Sequence, residues 1–379
     1  MRLCDAAVVG GGPAGLAFAA AAAARGLDVV VLEKREGPLD KACGEGVLPA
    51  GRRALERLGA LALVGRTEAA PIEELRWCDR GHTLTVKLPD GGGVGIRRTA
   101  LSAALRARAA AAGAELRAGA EVIDHRREGE RIVAVLAGGA EVPARVLVAA
   151  DGLASPVRRR EGLDLPARGP ARFGMRRHFA IAPWSRAVEV HFGPGVEAYL
   201  TPVAPDRVGL AFLFEKGPLA SSLSKRERAD ILEGRAVTYH RLLSLFPELE
   251  RRLARARPTT EILGAGPLAR RSRARVGDRL VLLGDAAGYL DAVTGEGISL
   301  ALGSAQDLAA LLPGALAHGA DAAALAGFER AWRRRYRVYA AWTRLVLLLT
   351  RHPALRRGVL GLAGAQRPAF ERIVAAAVG

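Results

Sequence analysis

The apolar residues near the start of the chain form short continuous runs on either side of a glycine-rich turn. The pattern predicts a strand over residues 5–9, a helix over 13–25 that ends at Gly26, and a second strand over 28–32. Strands that are apolar almost throughout are typical of parallel strands covered on both faces. The chain is therefore expected to open with a βαβ unit inside a parallel sheet.

Later segments alternate apolar and polar residues and are rich in β-branched and aromatic side chains. This alternation, interrupted by Pro and Gly, predicts an antiparallel sheet from residues 75–86 and 172–214. Between them we expect a helix over 99–112 and short strands over 121–124, 132–136 and 145–150. A short continuous apolar run at 280–283 predicts another strand of the parallel sheet. The chain beyond Ile298 is predicted to be helical with one break near His352 and Pro353.

The chain carries a net charge of +17, but the distribution of that charge does not predict a nucleic-acid partner. Arginine supplies nearly all of the positive charge, the arginines are scattered, and no zinc-finger spacing or aromatic RNA-binding run accompanies them. Cys4, Cys43 and Cys78 lack C-x-x-C spacing, so we expect neither a disulfide framework nor a metal site. The cytoplasm is the predicted location, because no signal-peptide pattern precedes the first strand.

A first chemical motif occupies the turn between the first strand and the first helix. It follows the pattern G-x-G-x-x-G and supplies the predicted cofactor-binding residues Gly10, Gly12, Pro13, Ala14 and Gly15. The first glycine permits a tight turn, the second lets the backbone approach a pyrophosphate, and the third allows the helix to pack on the strand. Glu33, followed by Lys34, ends the second strand about 20 residues on, where an acid binds ribose hydroxyls. The unit therefore predicts dinucleotide binding.

Two further motifs follow predicted strands. One is Asp-Gly after the strand VLVAAD, and the other is G-D-A-A-G, followed by T-G-E-G-I at the start of a long helix. The N-terminus of a helix stabilises the negative charge of a bound ligand. These segments add the predicted cofactor-binding residues Asp151, Gly152, Gly284, Asp285, Ala286, Gly295, Glu296, Gly297 and Ile298.

The three motifs, in this order, resemble those of the p-hydroxybenzoate hydroxylase-like FAD-dependent oxidoreductases, over roughly the chain up to Leu302. The resemblance implies a non-covalently bound FAD whose ribityl chain is held by Asp285. Arg98 opens a sequence similar to that family's R-x-x-L, whose arginine reaches the cofactor phosphate, and Arg97 is the alternative. An anionic partner would explain an arginine at the start of a helix, where the dipole opposes it.

The resemblance also implies a fold class. We expect an α/β protein with a Rossmann-like FAD-binding domain of the GR2 type, an inserted antiparallel substrate sheet and a C-terminal helical segment. The predicted FAD domain is discontinuous and comprises residues 1–74, 94–165 and 262–310. The predicted substrate domain comprises residues 75–93 and 166–261, and the C-terminal helices comprise 311–379.

The loop K-A-C-G-E-G at residues 41–46 and the T-G-E-G sequence resemble the geranylgeranyl reductase-like branch of this superfamily. The resemblance places the loop beside the flavin, which implies contacts to the cofactor from Cys43 and Gly44. Cys43 is either an inert buried thiol or a proton donor, and Glu45 is either a solvated acid or an acid beside the flavin. These two are the candidate catalytic residues. Residues 197–203 are similar to that branch's Y-x-W-x-F-P strand, but Leu and Thr replace Trp and Phe.

Two reactions fit these motifs. In the favoured one, the protein is a monooxygenase that hydroxylates an aromatic or lipophilic small molecule, with NAD(P)H binding transiently because no second dinucleotide unit is present. In the alternative, it is an ene-reductase of isoprenoid double bonds, and Cys43 or Glu45 supplies the proton. The changed strand at residues 197–203 favours the monooxygenase. A non-enzymatic flavin-binding protein would leave the substrate-type sheet without a purpose.

Two regions carry further candidate features. His178, His191 and Tyr199 fall on the predicted antiparallel sheet and could line a substrate pocket, but none is assigned as a base. Residues 332–375 alternate arginines with apolar runs and so predict basic amphipathic helices. These helices either cover a domain or dock on a membrane surface to collect a lipophilic substrate, which would make the protein membrane-peripheral.

Overall fold

A computed structural model describes residues 2–215 and 235–378. Residues 216–234 of the predicted substrate domain lie outside the described residues. The first eleven strands are β1 Cys4–Val9, β2 Val29–Glu33, β3 Gly46–Val47, β4 Ala69–Ile72, β5 Glu74–Asp79, β6 His82–Lys87, β7 Gly93–Ile96, β8 Glu115–Ala118, β9 Val122–Glu128, β10 Arg131–Leu136 and β11 Glu141–Ala149. The later strands are β12 Asp164–Leu165, β13 Arg172–Ala180, β14 Ala187–Gly193, β15 Val196–Ala204, β16 Arg207–Glu215, β17 Arg257–Pro258, β18 Leu263–Ala265, β19 Arg271–Ser272, β20 Val276–Gly277 and β21 Leu280–Leu282.

The helices connect these strands and form the end of the chain. The described α-helices are α1 Pro13–Ala23, α2 Pro49–Leu58, α3 Arg98–Ala111, α4 Pro156–Arg160, α5 Arg235–Ser244, α6 Pro247–Leu253, α7 Gly297–Ala317, α8 Ala326–Arg351, α9 Pro353–Ala365 and α10 Arg367–Val378. Short 3-10 helices cover Leu61–Leu63, Arg66–Glu68 and Gly284–Ala286.

The first sheet has a parallel centre, as the apolar runs predict. Its central order is β8-β2-β1-β11-β21, and each neighbouring pair in this order is parallel. β20 joins β21 antiparallel, while β10 and β9 extend antiparallel from β11. The predicted βαβ unit is confirmed, and every residue of β2 is buried, as expected for a central parallel strand.

Helix α1 lies between this sheet and other helices. Each residue from Ala14 to Ala23 is buried, and α1 packs against α3 and α7. A helix that is apolar all round is expected in such a position, because it has no solvent-facing side. The run of alanines that follows the glycine turn therefore belongs to the core of the protein.

The second sheet has the order β17-β13-β16-β15-β14-β5-β6, with β18 also paired to β13. All of its pairs are antiparallel except β5 with β14, which run parallel. The prediction of an antiparallel sheet is thus corrected for one pair. The exception arises because β5 and β14 are joined through most of the first domain, so no hairpin dictates their direction.

The two faces of the second sheet pack against different parts of the chain. One face, with Leu200 and Phe212, packs on Tyr239 of α5 and Leu249 of α6. The other face carries Tyr199, Leu213, Val188 and Val190 and contacts the first domain and helices α8–α10. The first domain, the second sheet and the terminal helices therefore meet along this second face.

The end of the chain has more helix breaks than the sequence predicts. A break at His352 occurs as expected, but α7 also ends before a turn over residues 318–325, and α9 and α10 separate at Gln366. Gly319 and Ala320 both have positive φ, which stops α7, and Pro368 favours a new helix start. The predicted domain boundary between residues 310 and 311 falls inside α7.

Among the described residues, α7 alone is long and apolar enough to cross a membrane by length and composition. However, 56% of its most apolar stretch is buried inside the protein, and the helix packs against α1, α2 and α8. That burial is typical of the core helix of a folded domain.

Candidate active site

The glycine turn after β1 has the geometry that a dinucleotide phosphate requires. Gly10 has a φ of 105°, and a Cβ there would lie 2.5 Å from the carbonyl oxygen of Ala150. A Cβ on Gly15 would lie 2.1 Å from the carbonyl oxygen of Gly10, so the contact of α1 with β1 requires glycine. A Cβ on Gly12, by contrast, would meet open space. This space lies in front of the N-terminus of α1, where Pro13 and Ala14 begin the helix.

Glu33 closes one side of this turn. Its Oε2 accepts a hydrogen bond from the Gly11 amide at 2.7 Å, and its Oε1 accepts one from the Arg35 amide at 3.0 Å. Each carboxylate oxygen keeps a further lone pair that a ribose hydroxyl could use. The predicted partner Lys34 points to the surface instead, where its Nζ lies 3.5 Å from Glu121 Oε1.

Two basic residues face the centre of the site. Arg98 is the first residue of α3 and is buried, and its Nη1 is a buried nitrogen for which the described residues offer no hydrogen-bond partner. Lys41 keeps solvent contact, yet surrounding protein atoms and the nearby Arg98 lower the pKa of its ammonium. Arg97, the alternative to Arg98, is the N-cap of α3 and is only half-buried. A buried cation with a free N–H fits an anionic ligand.

Arg158 joins the second and third motifs. It is 1% exposed, and it donates to the Leu153 carbonyl at 2.8 Å, to the Ala286 carbonyl at 3.0 Å and to Asp164 Oδ1 at 2.7 Å. Arg158 is not among the residues that the sequence predicts for the site, although it lies seven residues after Asp151 of the Asp-Gly motif. Its closeness to the Asp-Gly motif could have indicated that it belongs to the site. A buried arginine needs hydrogen-bond acceptors, and the turns that follow two strands provide them.

The carboxylates of the two motifs lie in the same cleft. Asp151 accepts a hydrogen bond from the Val157 amide at 3.2 Å, while its Oδ1 is buried without a partner among the described residues. Burial raises the pKa of the Asp151 carboxyl. Burial also raises the pKa of Asp285, although the positive charge of Lys41 opposes this effect. Gly152 borders the cleft, and a Cβ there would lie 3.7 Å from Lys41 Nζ.

The third motif contacts the first directly. A Cβ on Gly284 would lie 2.7 Å from the Cβ of Ala14, and Ala286 is fully buried behind it. Gly295 has a φ of 71°, and a Cβ there would meet open space. Gly297 begins α7 against the ring of Tyr289, to which a Cβ would come within 2.9 Å. The chain therefore leaves room beside the helix start, where Ile298 is half-buried.

Glu296 is the N-cap of α7 and an unusual acid. It is 8% exposed, and its Oε2 is a buried oxygen with no partner among the described residues. Burial raises the pKa of its carboxyl to about 8, although a hydrogen bond from Thr294 opposes the rise. Glu296 is thus a neutral acid at the start of the helix that the resemblance places beside the flavin.

Glu45 connects the loop at residues 41–46, which we call the cysteine loop, to the second sheet. Glu45 is 1% exposed and has a φ of 61°, a backbone conformation that is uncommon outside glycine. Its Oε1 accepts a hydrogen bond from the Arg98 amide at 2.8 Å and lies 3.5 Å from Arg176 Nη2. Its Oε2 is hydrogen-bonded to His178 Nε2. Glu45 is therefore neither solvated nor free, and it links the loop, α3 and β13.

The tautomer of His178 follows from its neighbours. Arg176 can only donate, and its Nη1 lies 3.1 Å from His178 Nδ1, so Nδ1 accepts and Nε2 carries the proton that goes to Glu45. Arg176 also binds Asp40 and the Lys41 carbonyl, which fixes the other end of the loop. The period-two spacing of arginines and His178 along predicted strand β13 was a signal that one face of this strand meets a polar loop.

Cys43 lies within this fastened loop. Its Sγ accepts a hydrogen bond from the Glu45 amide at 3.3 Å, which leaves the S–H free to point elsewhere. Burial raises the pKa of the thiol, and the charge of Arg98 opposes this rise. Cys43 and Tyr289 are close enough to interact electrostatically. The thiol is accordingly a neutral group near the start of α7, while Gly44 beside it is exposed.

The remaining candidates from the sheet have structural partners. Tyr199 donates its hydroxyl to the Val293 carbonyl at 2.9 Å, and His191 lies on the opposite face beside Glu189 at 3.3 Å. Arg172 forms buried ion pairs with Glu197 at 2.5 Å and with Asp291 at 2.8 Å. These contacts tie β13 and β15 to the segment between the G-D-A-A-G and T-G-E-G sequences.

Two buried polar atoms without a partner show whether the site fits FAD. The unpartnered Nη1 of Arg98 suits a phosphate oxygen, and the unpartnered Oδ1 of Asp151 suits a hydroxyl donor. The open positions at Gly12 and Gly295 leave space for a ligand along the same cleft. The residues therefore fit a flavin dinucleotide, and the fold and site together define an FAD-dependent oxidoreductase.

Comparison with known families agrees with this class. Residues 3–343 match the model of the FAD binding domain family, FAD_binding_3, and the chain belongs to that family. Within it, the chain is similar to the digeranylgeranylglycerophospholipid reductase 1 of Methanopyrus kandleri, with 31% identity over 79% of this chain and 77% of the relative.

Other relatives differ in their reactions. The menaquinone reductase of Mycobacterium tuberculosis is 29% identical over 83% of this chain and 79% of the relative. The ubiquinone hydroxylase UbiL of Rhodospirillum rubrum is 30% identical over 84% of this chain and 75% of the relative. Among solved structures, the flavin-dependent brominase Bmp2 superposes with a TM-score of 0.82 at 19% identity, covering 99% of this chain and 94% of that one. This last likeness concerns the fold alone.

Proposed function

We propose that this oxidoreductase reduces a carbon–carbon double bond of a lipophilic, isoprenoid-type molecule, with NAD(P)H as the transient source of electrons. The observation that carries the proposal is the neutral thiol of Cys43 in a loop fastened between Arg98 and the second sheet. When bound and reduced, FAD would supply the hydride for one carbon of the double bond. The chain itself must then supply a proton to the other carbon.

Cys43 is the proposed proton donor. Because burial raises the pKa of its thiol, the group stays protonated at neutral pH and can donate its proton during the reaction. The thiolate that forms lies near Arg98, whose charge stabilises it until solvent returns the proton. For Glu45 we propose a positioning role, since its carboxylate is engaged by Arg98 and His178.

The surroundings of the site support a lipophilic substrate. The face of the second sheet that meets the first domain carries Val188, Val190 and Leu213. Trp342 of α8 and Phe370 of α10 pack over the same cluster. An apolar region of this kind next to the cysteine loop favours a lipophilic substrate over a polar one.

Hydroxylation is the second candidate, and the similarity to a ubiquinone hydroxylase over 84% of the chain favours it. The changed strand at residues 197–203 is the sequence feature that supports it further. In this reaction the apolar cluster would hold an aromatic or quinone ring and exclude water, and NAD(P)H and oxygen would be consumed together.

A comparison with and without oxygen separates the two reactions. The purified holoenzyme is mixed with NADPH and either a geranylgeranyl lipid, menaquinone or a prenylated phenol, and products are read by mass spectrometry. Reduction predicts anaerobic turnover and a product that gains two hydrogens in its isoprenoid chain, measured after any quinol formed has been reoxidised to the quinone. A product that gains an oxygen atom, formed only in air, would contradict the reductase proposal and favour hydroxylation.

The Cys43→Ser variant tests the proton donor. We expect turnover to fall by about a hundredfold while FAD binding is retained. Cys78→Ser is the matched control, because Cys78 lies on β5 with its Sγ near the Thr83 hydroxyl, away from the motif loops. Equal activity in the two variants would show that the Cys43 thiol is not the donor.

A further inference from the structure

The three terminal helices α8–α10 expose apolar side chains on their outer side. Among the described residues, eleven large apolar side chains are exposed, and six of them lie between residues 338 and 373. These six are Val338, Leu345, Leu348, Leu355, Leu362 and Ile373. Their exposed fractions run from 45% to 67%, so more than half of the exposed large apolar side chains in the described chain lie on these three helices. We call this surface the outer helical surface.

The spacing of these residues places them on continuous faces. On α8, Val338, Leu345 and Leu348 are exposed at intervals of one or two helical turns. On α9, Leu355 and Leu362 are seven residues apart, and the exposed positions between them, 358 and 361, are glycines. The three helices pack against one another, so their exposed side chains belong to one region of the protein surface.

The inner sides of the same helices pack against the second sheet. Leu360 and Ala363 of α9 and Val374 of α10 are buried in the cluster that covers the second sheet. The exposed residues therefore belong to the opposite sides of these helices. Contiguous exposed apolar patches on a folded protein mark a binding surface.

The charge around the outer helical surface identifies its partner. Residues 337–378 contain seven arginines and one acidic residue, Glu371. Four arginines have an acidic partner: Arg351 pairs with Glu215, Arg356 and Arg357 with Asp79, and Arg367 with Glu371. The exposed Arg337, Arg344 and Arg372 have no ion pair among the described residues, and each precedes or follows an exposed apolar residue.

We propose that the outer helical surface binds an anionic lipid bilayer. The exposed leucines enter the boundary between headgroups and acyl chains, and Arg337, Arg344 and Arg372 pair with the phosphates of the headgroups. This inference goes beyond the proposed reaction and does not depend on it. It concerns where the protein lies, and the same surface would serve a reductase or a hydroxylase.

Sedimentation with vesicles tests the proposal. The full-length holoenzyme is mixed at low salt with vesicles of phosphatidylcholine alone or of phosphatidylcholine with phosphatidylglycerol. We expect binding to the anionic vesicles, little binding to the neutral ones, and release at high salt. The double variant Leu355→Asp/Leu362→Asp should lower the partition coefficient by more than about tenfold, as should Arg344→Gln/Arg372→Gln.

The control variant is Leu63→Asp/Ile123→Asp, which adds the same charge at residues that are 50% and 55% exposed outside the terminal helices. It should bind vesicles like the unchanged protein. Failure to bind anionic vesicles, or equal loss in the control, would overturn the proposal. So would light scattering that shows a dimer converted to monomers by Leu355→Asp/Leu362→Asp, since a second copy would then cover the surface. Retained FAD absorbance shows that each variant is folded. If Leu355→Asp/Leu362→Asp loses its FAD, the vesicle binding of Arg344→Gln/Arg372→Gln tests the proposal.

Discussion

Replacing Glu296 by Gln is expected to flatten the dependence of the apo-protein's stability on pH. Burial raises the pKa of this carboxyl from 4.5 to about 8 in the folded protein, whereas the unfolded chain has the ordinary value. Between these two values the folded protein holds a proton that the unfolded chain has released. The free energy of unfolding therefore falls as the pH rises through this range, and the loss is complete above about pH 8.

The magnitude follows from the difference between the two pKa values. A difference of about 3.5 pH units corresponds to at most about 5 kcal/mol, at about 1.4 kcal/mol for each unit. Local relaxation and access of water to the cleft reduce this limit, so we expect about 2–4 kcal/mol. Asp151 and Asp285 also have raised pKa values and act with the same sign. The contribution of Glu296 is therefore obtained by subtracting the pH dependence of the stability of Glu296→Gln from that of the unchanged protein.

Urea unfolding of the apo-proteins at about pH 5 and about pH 9 measures this difference. The unchanged protein should lose about 2–4 kcal/mol more than Glu296→Gln over that interval. Glu130→Gln, which removes an exposed carboxylate, is the control and should follow the unchanged protein. Parallel pH profiles for the unchanged protein and Glu296→Gln would refute the reasoning, because the carboxyl would then ionise as readily in the fold as in the unfolded chain.

Three further substitutions have clear expectations. Gly15→Ala places a Cβ 2.1 Å from the Gly10 carbonyl oxygen, so it should destabilise the protein by more than about 3 kcal/mol or abolish FAD retention, measured by thermal melting and flavin absorbance. Arg98→Gln removes a buried cation and should raise the Kd for FAD by about ten- to a hundredfold in a flavin fluorescence titration. Arg172→Met leaves two buried carboxylates unpaired and should cost about 3–5 kcal/mol in urea unfolding.

Each of these substitutions has a matched control. Gly138→Ala adds a Cβ that meets open space, and Arg106→Gln removes a charge from the same helix as Arg98. Arg351→Met breaks a surface ion pair and should cost less than about 1 kcal/mol. If a control and its partner variant behave alike, the contact assigned to Gly15, Arg98 or Arg172 does not explain the effect.

Most of the fold could be predicted from the sequence, because the informative features are local. The glycines of the first motif are required by contacts within the turn itself, such as that between Gly15 and Gly10. The apolar runs that define β1 and β2 are likewise short and continuous. The parallel pairing of β5 with β14 could not be predicted, since no local turn determines it.

The candidate site was only partly predictable for the same reason. Arg158 reaches a carbonyl 128 residues away, and Glu45 meets His178 across 133 residues. The sequence indicates that Glu45 belongs to the cofactor loop, but not that its carboxylate points toward a histidine on another sheet. Lys34 was expected beside the cofactor because it follows Glu33, yet successive residues at a strand end point in opposite directions, and its ammonium lies at Glu121. The contact of Lys34 with a bound cofactor stays a prediction.

The buried ion pairs of Arg172 bear on how a substrate would reach the site. A hinge motion that lifted the second sheet from the first domain would separate Arg172 from Asp291. Arg172 would keep Glu197, but the buried Asp291 carboxylate would lose its cationic partner. Helix α9 is held in a similar way, because it meets the rest of the protein through apolar contacts and through the buried pair of Arg356 with Asp79. Lifting either the second sheet or α9 would therefore separate a buried ion pair, so a substrate is expected to enter with both elements held in place.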